Sequence, residues 1–288
     1  MIHSMTGYAA AHRDLGDAVL HLELKSVNSR YLDIGFRSGE EVRFLEMPLR
    51  EKIAATVSRG KIECRVNLLA QATAPRQRAP NRAVIEQLTG MERAVREALP
   101  GAAPLTVAEV LRWPGVLAEE AIDQGRLQTE CLVLADAVIA DFLASRAREG
   151  QKLAEILLER AGRIRAHVAE VGPILPRALA DYEARLAAKL REVLTSQDED
   201  RIRQEMGLFA ARIDVAEELG RLTTHLAETE RVIRKGGAVG KRLDFLMQEF
   251  NREANTLASK SVSTEVTAIA LELKLLIEQM REQVQNLE

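Results

Sequence analysis

Residues Ala18 to Lys25 read AVLHLELK. Leu20, Leu22 and Leu24 alternate with Val19, His21, Glu23 and Lys25, so one face is apolar and the other polar. A period of two with one apolar face is the pattern of a half-buried β-strand. The signal returns after Arg59-Gly60-Lys61, where KIECRVNLL puts Ile62, Cys64, Val66 and Leu68 on a common face. Between the two runs, Val42, Leu45, Leu49, Ile53 and Val57 recur at spacings of three and four. That spacing predicts an amphipathic helix, with Pro48 bending it or marking its start. Tyr31 to Phe36 and Ser4 to His12 offer two further strands. The first 70 residues therefore read as a small antiparallel sheet carrying a helix.

Beyond a Pro/Arg/Ala linker at Gln71 to Pro80, almost every signal is helical. Asn81 and Thr106 are suited to cap two helices, and Trp113-Pro114-Gly115 reads as a turn. Leu127 to Val171 is one very long helix or two, and Gly172-Pro173 is expected to break it. A further helix runs to about Leu194, and Ser196-Gln197-Asp198 reads as a cap and hinge. The next helix runs from Arg201 to about Lys235 and stops at Gly236-Gly237. Helices from Lys241 to about Leu257 and from Thr264 to Asn286 complete the chain. The fold class is α+β: a small sheet with a helix at the N-terminus, then long helices forming an extended C-terminal part. The expected division is 1–156, a helical connector 157–204, and a helical domain 205–288 with the candidate site. A 35-residue helix spans roughly 50 Å, so helices of this kind act as arms or pack against other subunits. Val266, Ile269, Leu273, Leu276, Met280 and Leu287 form a heptad-like seam, interrupted by Gln283, for a partner helix of the same chain or of another subunit.

Composition narrows the function classes. The 288 residues carry a net charge of −3 with 29% charged and 3% aromatic residues, so the overall basic balance of many nucleic-acid binders is absent. Positive charge for such a partner must be local or concentrated by oligomerisation. Cys64 and Cys131 have no metal-ligand or redox spacing and read as reduced packing residues, in keeping with a cytoplasmic protein. No secretory leader and no membrane-length apolar run is seen. Gly236-Gly237-Ala238-Val239-Gly240-Lys241 lacks the spacing of a phosphate loop and follows no strand.

Several stretches resemble one known family. VGKRLDFLMQEFNREANTLASKSVSTEVTAIALELKLLIEQMREQVQNLE, from Val239 to Glu288, is similar to the C-terminal signature of the YicC/YloC proteins. Ser4-Met5-Thr6-Gly7-Tyr8, Lys25 to Asp33 (KSVNSRYLD), Arg59-Gly60-Lys61 and Leu111 to Val116 (LRWPGV) resemble the same family in the same order. In the last of these, Trp113 stands where a smaller apolar residue is commoner. The resemblance implies a metal-dependent endoribonuclease favouring manganese, with magnesium as the alternative, assembled as a hexamer around a channel for RNA.

The site candidates come from spacing rather than from the resemblance. Asp214, Glu218, Arg221, His225 and Glu228 follow at +4, +3, +4 and +3, one band along a helix at about 100° per residue. The band borders the apolar stripe of Val215, Leu219, Leu222, Leu226 and Ile233. Hard cations take carboxylate oxygens, and His adds affinity for manganese. The candidate ligands are Asp214, Glu218, His225 and Glu228, joined by Glu249 and Glu253 from the next helix. The candidate catalytic groups are Glu218, Glu228, His225, as ligand or general acid, and Arg252, which with Arg221 is placed to neutralise phosphate. On the later helix, Asp244, Gln248, Asn251 and Asn255 form a polar row, for ribose and phosphate or for an interhelical network. Arg30, Arg37, Arg59 and Lys61 are candidate RNA contacts near the sheet, with Arg221, Asn251 and Asn255 nearer the chemistry. A salt-bridged helix flank is the ordinary alternative for all the charged positions. The competing functions are a non-catalytic RNA adaptor that presents RNA to another ribonuclease, and a purely structural oligomer.

Overall fold

The computed structural model describes residues 1–16, 18–71, 80–117, 123–193, 213–261 and 263–288, with single positions at 204, 207 and 210. Four strands, β1 (Gly7–Asp14), β2 (Ala18–Val27), β3 (Leu32–Ser38) and β4 (Gly60–Ala70), form one sheet in the order β1-β2-β4-β3. The alternation in β2 is realised: Leu20, Leu22 and Leu24 are buried, while His21 and Glu23 are half-buried and Lys25 exposed. Ile62, Cys64 and Val66 of β4 share that inner face. A 3₁₀ turn over Glu40–Leu45 leads into α1 (Glu46–Thr56), and Val42, Leu45, Leu49, Ile53 and Val57 are all buried, as their spacing predicts. Pro48 falls in the first turn of α1, where its missing N–H has no helical partner to lose.

The sheet is mixed rather than antiparallel throughout. β3 runs parallel to β4, with Leu32 opposite Gly60. Parallel neighbours need a crossover, and the 3₁₀ turn and α1 supply it between the two strands. Gly60 opens β4 at φ 110°, a backbone region that side chains rarely enter. The N-terminal strand begins at Gly7 rather than Ser4, which makes only an isolated bridge to Leu287.

After the linker, most of which lies outside the described residues, come α2 (Arg82–Ala98) and α3 (Val107–Arg112). The caps are those expected: Asn81 accepts from the Ala83 and Val84 amides, and Thr106 with Glu109 makes a capping box. Helix α4 (Gln124–Val193) then runs unbroken through Pro173 and Pro176 for 70 residues, about 105 Å at helical rise. Each proline removes one N–H and displaces the carbonyl four residues earlier. Those carbonyls belong to Ala169 and Gly172, both at the surface, where water can satisfy them. Among the described residues, α5 (Ala216–Lys235), α6 (Gly240–Lys260) and α7 (Thr264–Val284) follow. The expected start at Arg201 and the cap at Ser196 to Asp198 lie outside the described residues.

Two cores share α4. Leu127, Cys131, Val138 and Phe142 pack on the sheet and α1, while Leu157, Ala161, Ile164 and Val171 pack with α5, α6 and α7. Val266, Leu273, Leu276 and Met280, the core of the heptad-like seam, are buried in this second cluster of their own chain. The two parts are stitched by main-chain bonds from Met5 N to Asn286 O (2.8 Å) and from Glu288 N to His3 O (2.9 Å). Buried Arg146 joins them again, donating to Ser4 O at 2.6 Å and pairing with Glu288. Cys64 and Cys131 are free and buried, and burial pushes their thiols up to about 12 and about 11, so neither is a thiolate. Among the described residues, no helix is long and apolar enough to cross a membrane.

Candidate active site

The site forms where α5 and α6 pack side by side. Gly236 and Gly237, at φ 69° and 88°, reverse the chain between them. The apolar stripe of α5 (Leu222, Leu226, Ile233) and that of α6 (Leu243, Met247, Phe250, Ala254, Leu257) close on one another in the helical core. His225, at the edge of the first stripe, therefore faces Glu249 and Glu253, which stand four residues apart on one face of α6. One donor atom from each lies within 4.8 Å of the others.

Hydrogen-bond bookkeeping distinguishes this trio from an ordinary salt-bridged flank. Among the described residues, His225 Nε2 is buried without a hydrogen-bond partner. The ring meets Phe250 edge-on, with centroids 5.9 Å apart at 78°, so its orientation is fixed by packing. A buried imidazole nitrogen without a partner costs free energy unless something occupies it. Glu253 is 3% exposed, and its Oε2 accepts from Arg221 Nε at 3.1 Å. Arg221 also reaches Glu217 at 3.0 Å and lies 3.9 Å from Glu218. Glu218, 2% exposed, accepts from Lys260 Nζ at 2.8 Å, while its second oxygen is buried and has no partner among the described residues. Lys260 is held in turn by the Asp214 carbonyl at 2.9 Å. Two buried carboxylates are thus kept in place by two cations, a network worth keeping only if every member is fixed.

The structure separates other candidates from this cluster. Asp214 precedes α5 rather than lying on it; its carboxylate caps the Ala216 amide at 2.9 Å. Glu228 is turned to the arginines: Arg231 bonds it at 2.7 and 2.8 Å and Arg242 at 3.3 Å. These bonds hold its carboxyl down to about 2, a group committed to ion pairing. Arg252 is 73% exposed, with its nearest carboxylate oxygen, from Glu249, 4.0 Å away. Among the described residues the polar row bonds along α6 itself, Asn255 to Asn251 at 2.7 Å and Gln248 to Asp244 at 3.0 Å, rather than to a neighbouring helix.

The sheet-side basic residues form no single cluster in these contacts. Arg37 pairs with Glu63 at 3.1 Å, Arg30 lies over Tyr31 at 5.4 Å, and Arg59 Nε donates to Ser29 O at 3.0 Å. Sequence reasoning missed two residues. Lys260 stands seven residues after Glu253, which is the same face two turns on and a readable signal. Thr229, one turn after His225, is fully buried with an unpartnered hydroxyl, which no spacing rule foretells.

Comparison with known proteins places the chain in a family. Residues 2–155 match the N-terminal region of the YicC-like endoribonucleases, and residues 171–288 match their C-terminal domain. The probable endoribonuclease YicC of Haemophilus influenzae is 43% identical over 290 residues, spanning 100% of both chains. The protein of that name from Clostridioides difficile is 26% identical over 293 residues, again spanning 100% of both. The chain belongs to the YicC-like endoribonuclease family.

Proposed function

We propose that the protein is a metal-dependent endoribonuclease that hydrolyses RNA phosphodiester bonds, with His225, Glu249 and Glu253 holding a divalent cation. The observation that carries this reading is the trio of His225, Glu249 and Glu253, with one donor atom from each within 4.8 Å of the others and the His225 Nε2 buried without a hydrogen-bond partner among the described residues. One nitrogen and two carboxylate donors suit a borderline-hard ion such as manganese better than magnesium, which prefers an all-oxygen shell. When bound, such an ion polarises a phosphoryl oxygen and lowers the pKa of a coordinated water.

The chain's own groups do the rest. Arg221 orients Glu253 through the 3.1 Å bond. Lys260 and Glu218 brace that arginine from the far side, which makes them positioning residues. Arg252, exposed beside Glu249, is free to bring its planar fork onto non-bridging phosphate oxygens. Asn255, exposed, and Asn251, half-buried, lie along α6 and offer amides to ribose and phosphate. Arg30, Arg37 and Lys61 extend the RNA path onto the sheet. A net charge of −3 argues for several subunits around one RNA, and a hexamer of cytoplasmic protein is the assembly we infer.

The test is cleavage of a labelled single-stranded RNA with manganese or with chelator, by wild type, His225→Ala and Glu253→Gln. Cleavage in wild type with manganese and its loss in the other arms is the expected result. Cleavage that survives chelation or both substitutions refutes the assignment, and RNA retention without cleavage by wild type turns the protein into an adaptor for another ribonuclease.

A further inference from the structure

We propose that the cavity at the seam between sheet and helical bundle, lined by Arg59 and Lys241, binds a phosphate group of the RNA backbone. The cavity has a volume of about 250 Å³, and its walls come from both halves of the chain. Asn28 and Arg59 approach from the sheet side, and Lys241, Asp244 and Gln285 from the bundle. The Asn28 amide donates to Gln285 O at 2.7 Å and ties the two walls together.

The charges of this cavity are unevenly spent. Arg59 is half-buried and anchored through Nε to the Ser29 carbonyl, which leaves both terminal guanidinium nitrogens without a partner among the described residues. Lys241 has neither an ion pair nor a hydrogen bond from its side chain among the described residues. The carboxylate in the wall, Asp244, accepts from Gln248 Nε2 at 3.0 Å and lies near Arg281, whose pKa is raised chiefly by its bond to Glu278 and in smaller part by Asp244. Two uncommitted cations of different geometry, a planar fork and a point charge, therefore meet in a concave site. That combination fits a phosphate better than a carboxylate or a neutral ligand.

The position gives the site a task, and this step rests on the reading of the protein as a ribonuclease. Lys241 and Glu249 are eight residues apart on α6, about 12 Å along its axis. A phosphate held by Lys241 is thus not the one being cleaved. It anchors a neighbouring nucleotide and sets which phosphodiester reaches His225, Glu249 and Glu253.

The experiment uses full-length protein and a fluorescent single-stranded RNA, with binding followed by anisotropy over a range of salt in chelator. Each phosphate contact to a single strand contributes about 0.7 to the slope of log K against log salt. Arg59→Ala and Lys241→Ala should each lose about that much slope and several-fold in affinity, and the double variant about 1.4. Lys241→Arg should retain the slope, and Arg93→Ala, an exposed arginine on α2, should leave it unchanged. Lys241 is exposed, with no side-chain ion pair or hydrogen bond among the described residues, so its variant decides the matter if Arg59→Ala proves unstable. With manganese, the double variant should cut end-labelled RNA at more positions while binding the metal as wild type does. Slopes equal to that of Arg93→Ala overturn the proposal. Line broadening of inorganic phosphate by wild type but not by the double variant, with unchanged RNA slopes, makes the ligand a free phosphate and overturns the RNA assignment. Slopes as expected in a wild type that never cleaves refute the ribonuclease reading and leave the phosphate site standing.

Discussion

Replacing Lys260 by Met removes one ammonium while keeping nearly all of the side chain's volume. Glu218 is 2% exposed and has one partnered oxygen, bonded at 2.8 Å to Lys260; the other oxygen has none. After the change, the nearest cation is Arg221 at 3.9 Å, already shared with Glu217 and Glu253. Stripping one partner from a buried ion pair costs about 3–5 kcal/mol, because the remaining charge is uncompensated. The Lys260 side chain is 31% exposed, so water screens the wild-type pair and can follow into its place. The expected loss is therefore about 2–3 kcal/mol. Adding Glu218→Gln removes the stranded charge and should return most of that loss, giving a coupling of about 2 kcal/mol in the double-mutant cycle. Urea unfolding followed by far-UV circular dichroism reads all four proteins, with unchanged m-values as the check that only stability has moved. If Lys260→Met lies within about 0.5 kcal/mol of wild type, or the two substitutions add without coupling, Glu218 is not a buried charge held by Lys260. The bracing of Arg221 then fails with it.

Other parts of the molecule make equally direct predictions. Equilibrium dialysis against manganese should give one site in wild type and none in His225→Ala, while Glu228→Gln keeps it, since Glu228 is bound to arginines. The lowered pKa of Glu228 means that its ion pairs stabilise the fold above the ordinary value of 4.5 and lose that effect as pH falls through about 2. Melting curves of wild type and Glu228→Gln should accordingly differ at pH values above that window and converge towards its acid end. In Gly240→Ala the new methyl would meet the Leu287 carbonyl oxygen far inside van der Waals contact. Displacing that backbone should cost about 1–3 kcal/mol in urea unfolding, whereas Gly90→Ala, with nothing near it, should cost nothing.

Strands β2 and β4 were legible because one face of each is buried, and burial of one face imposes alternation. The direction of β3 was not, since seven residues alternate alike in parallel and antiparallel pairing; the chain's route through α1 decides it. Gly172-Pro173 misled for a related reason. A proline stop signal is local, whereas Val171, Ile174 and Leu175 pack against the helical core and hold α4 on course. The site was legible in its residue types and less so in its membership. Spacing along one helix grouped Asp214 and Glu228 with His225, yet a capping bond takes the first and two arginines take the second. Glu249 and Glu253 come beside His225 because two helices fold together, and that contact is written in the apolar stripes rather than in the charges.

The balance of charge around the trio gives the assignment its final constraint. Glu217, Glu218, Glu249 and Glu253 face Arg221, Arg252 and Lys260, four carboxylates against three cations, so the cluster keeps one negative charge when His225 is neutral. A phosphodiester is repelled by such a site, most strongly where burial lowers the dielectric. One divalent cation reverses the sign, and the same pocket then attracts phosphate. Affinity for an uncleavable RNA should therefore rise when manganese is added to wild type and stay level in His225→Ala. An affinity that is indifferent to manganese in wild type would mean that RNA binds elsewhere than at this cluster. The carboxylates of α5 and α6 would then be a brace for the bundle and no more.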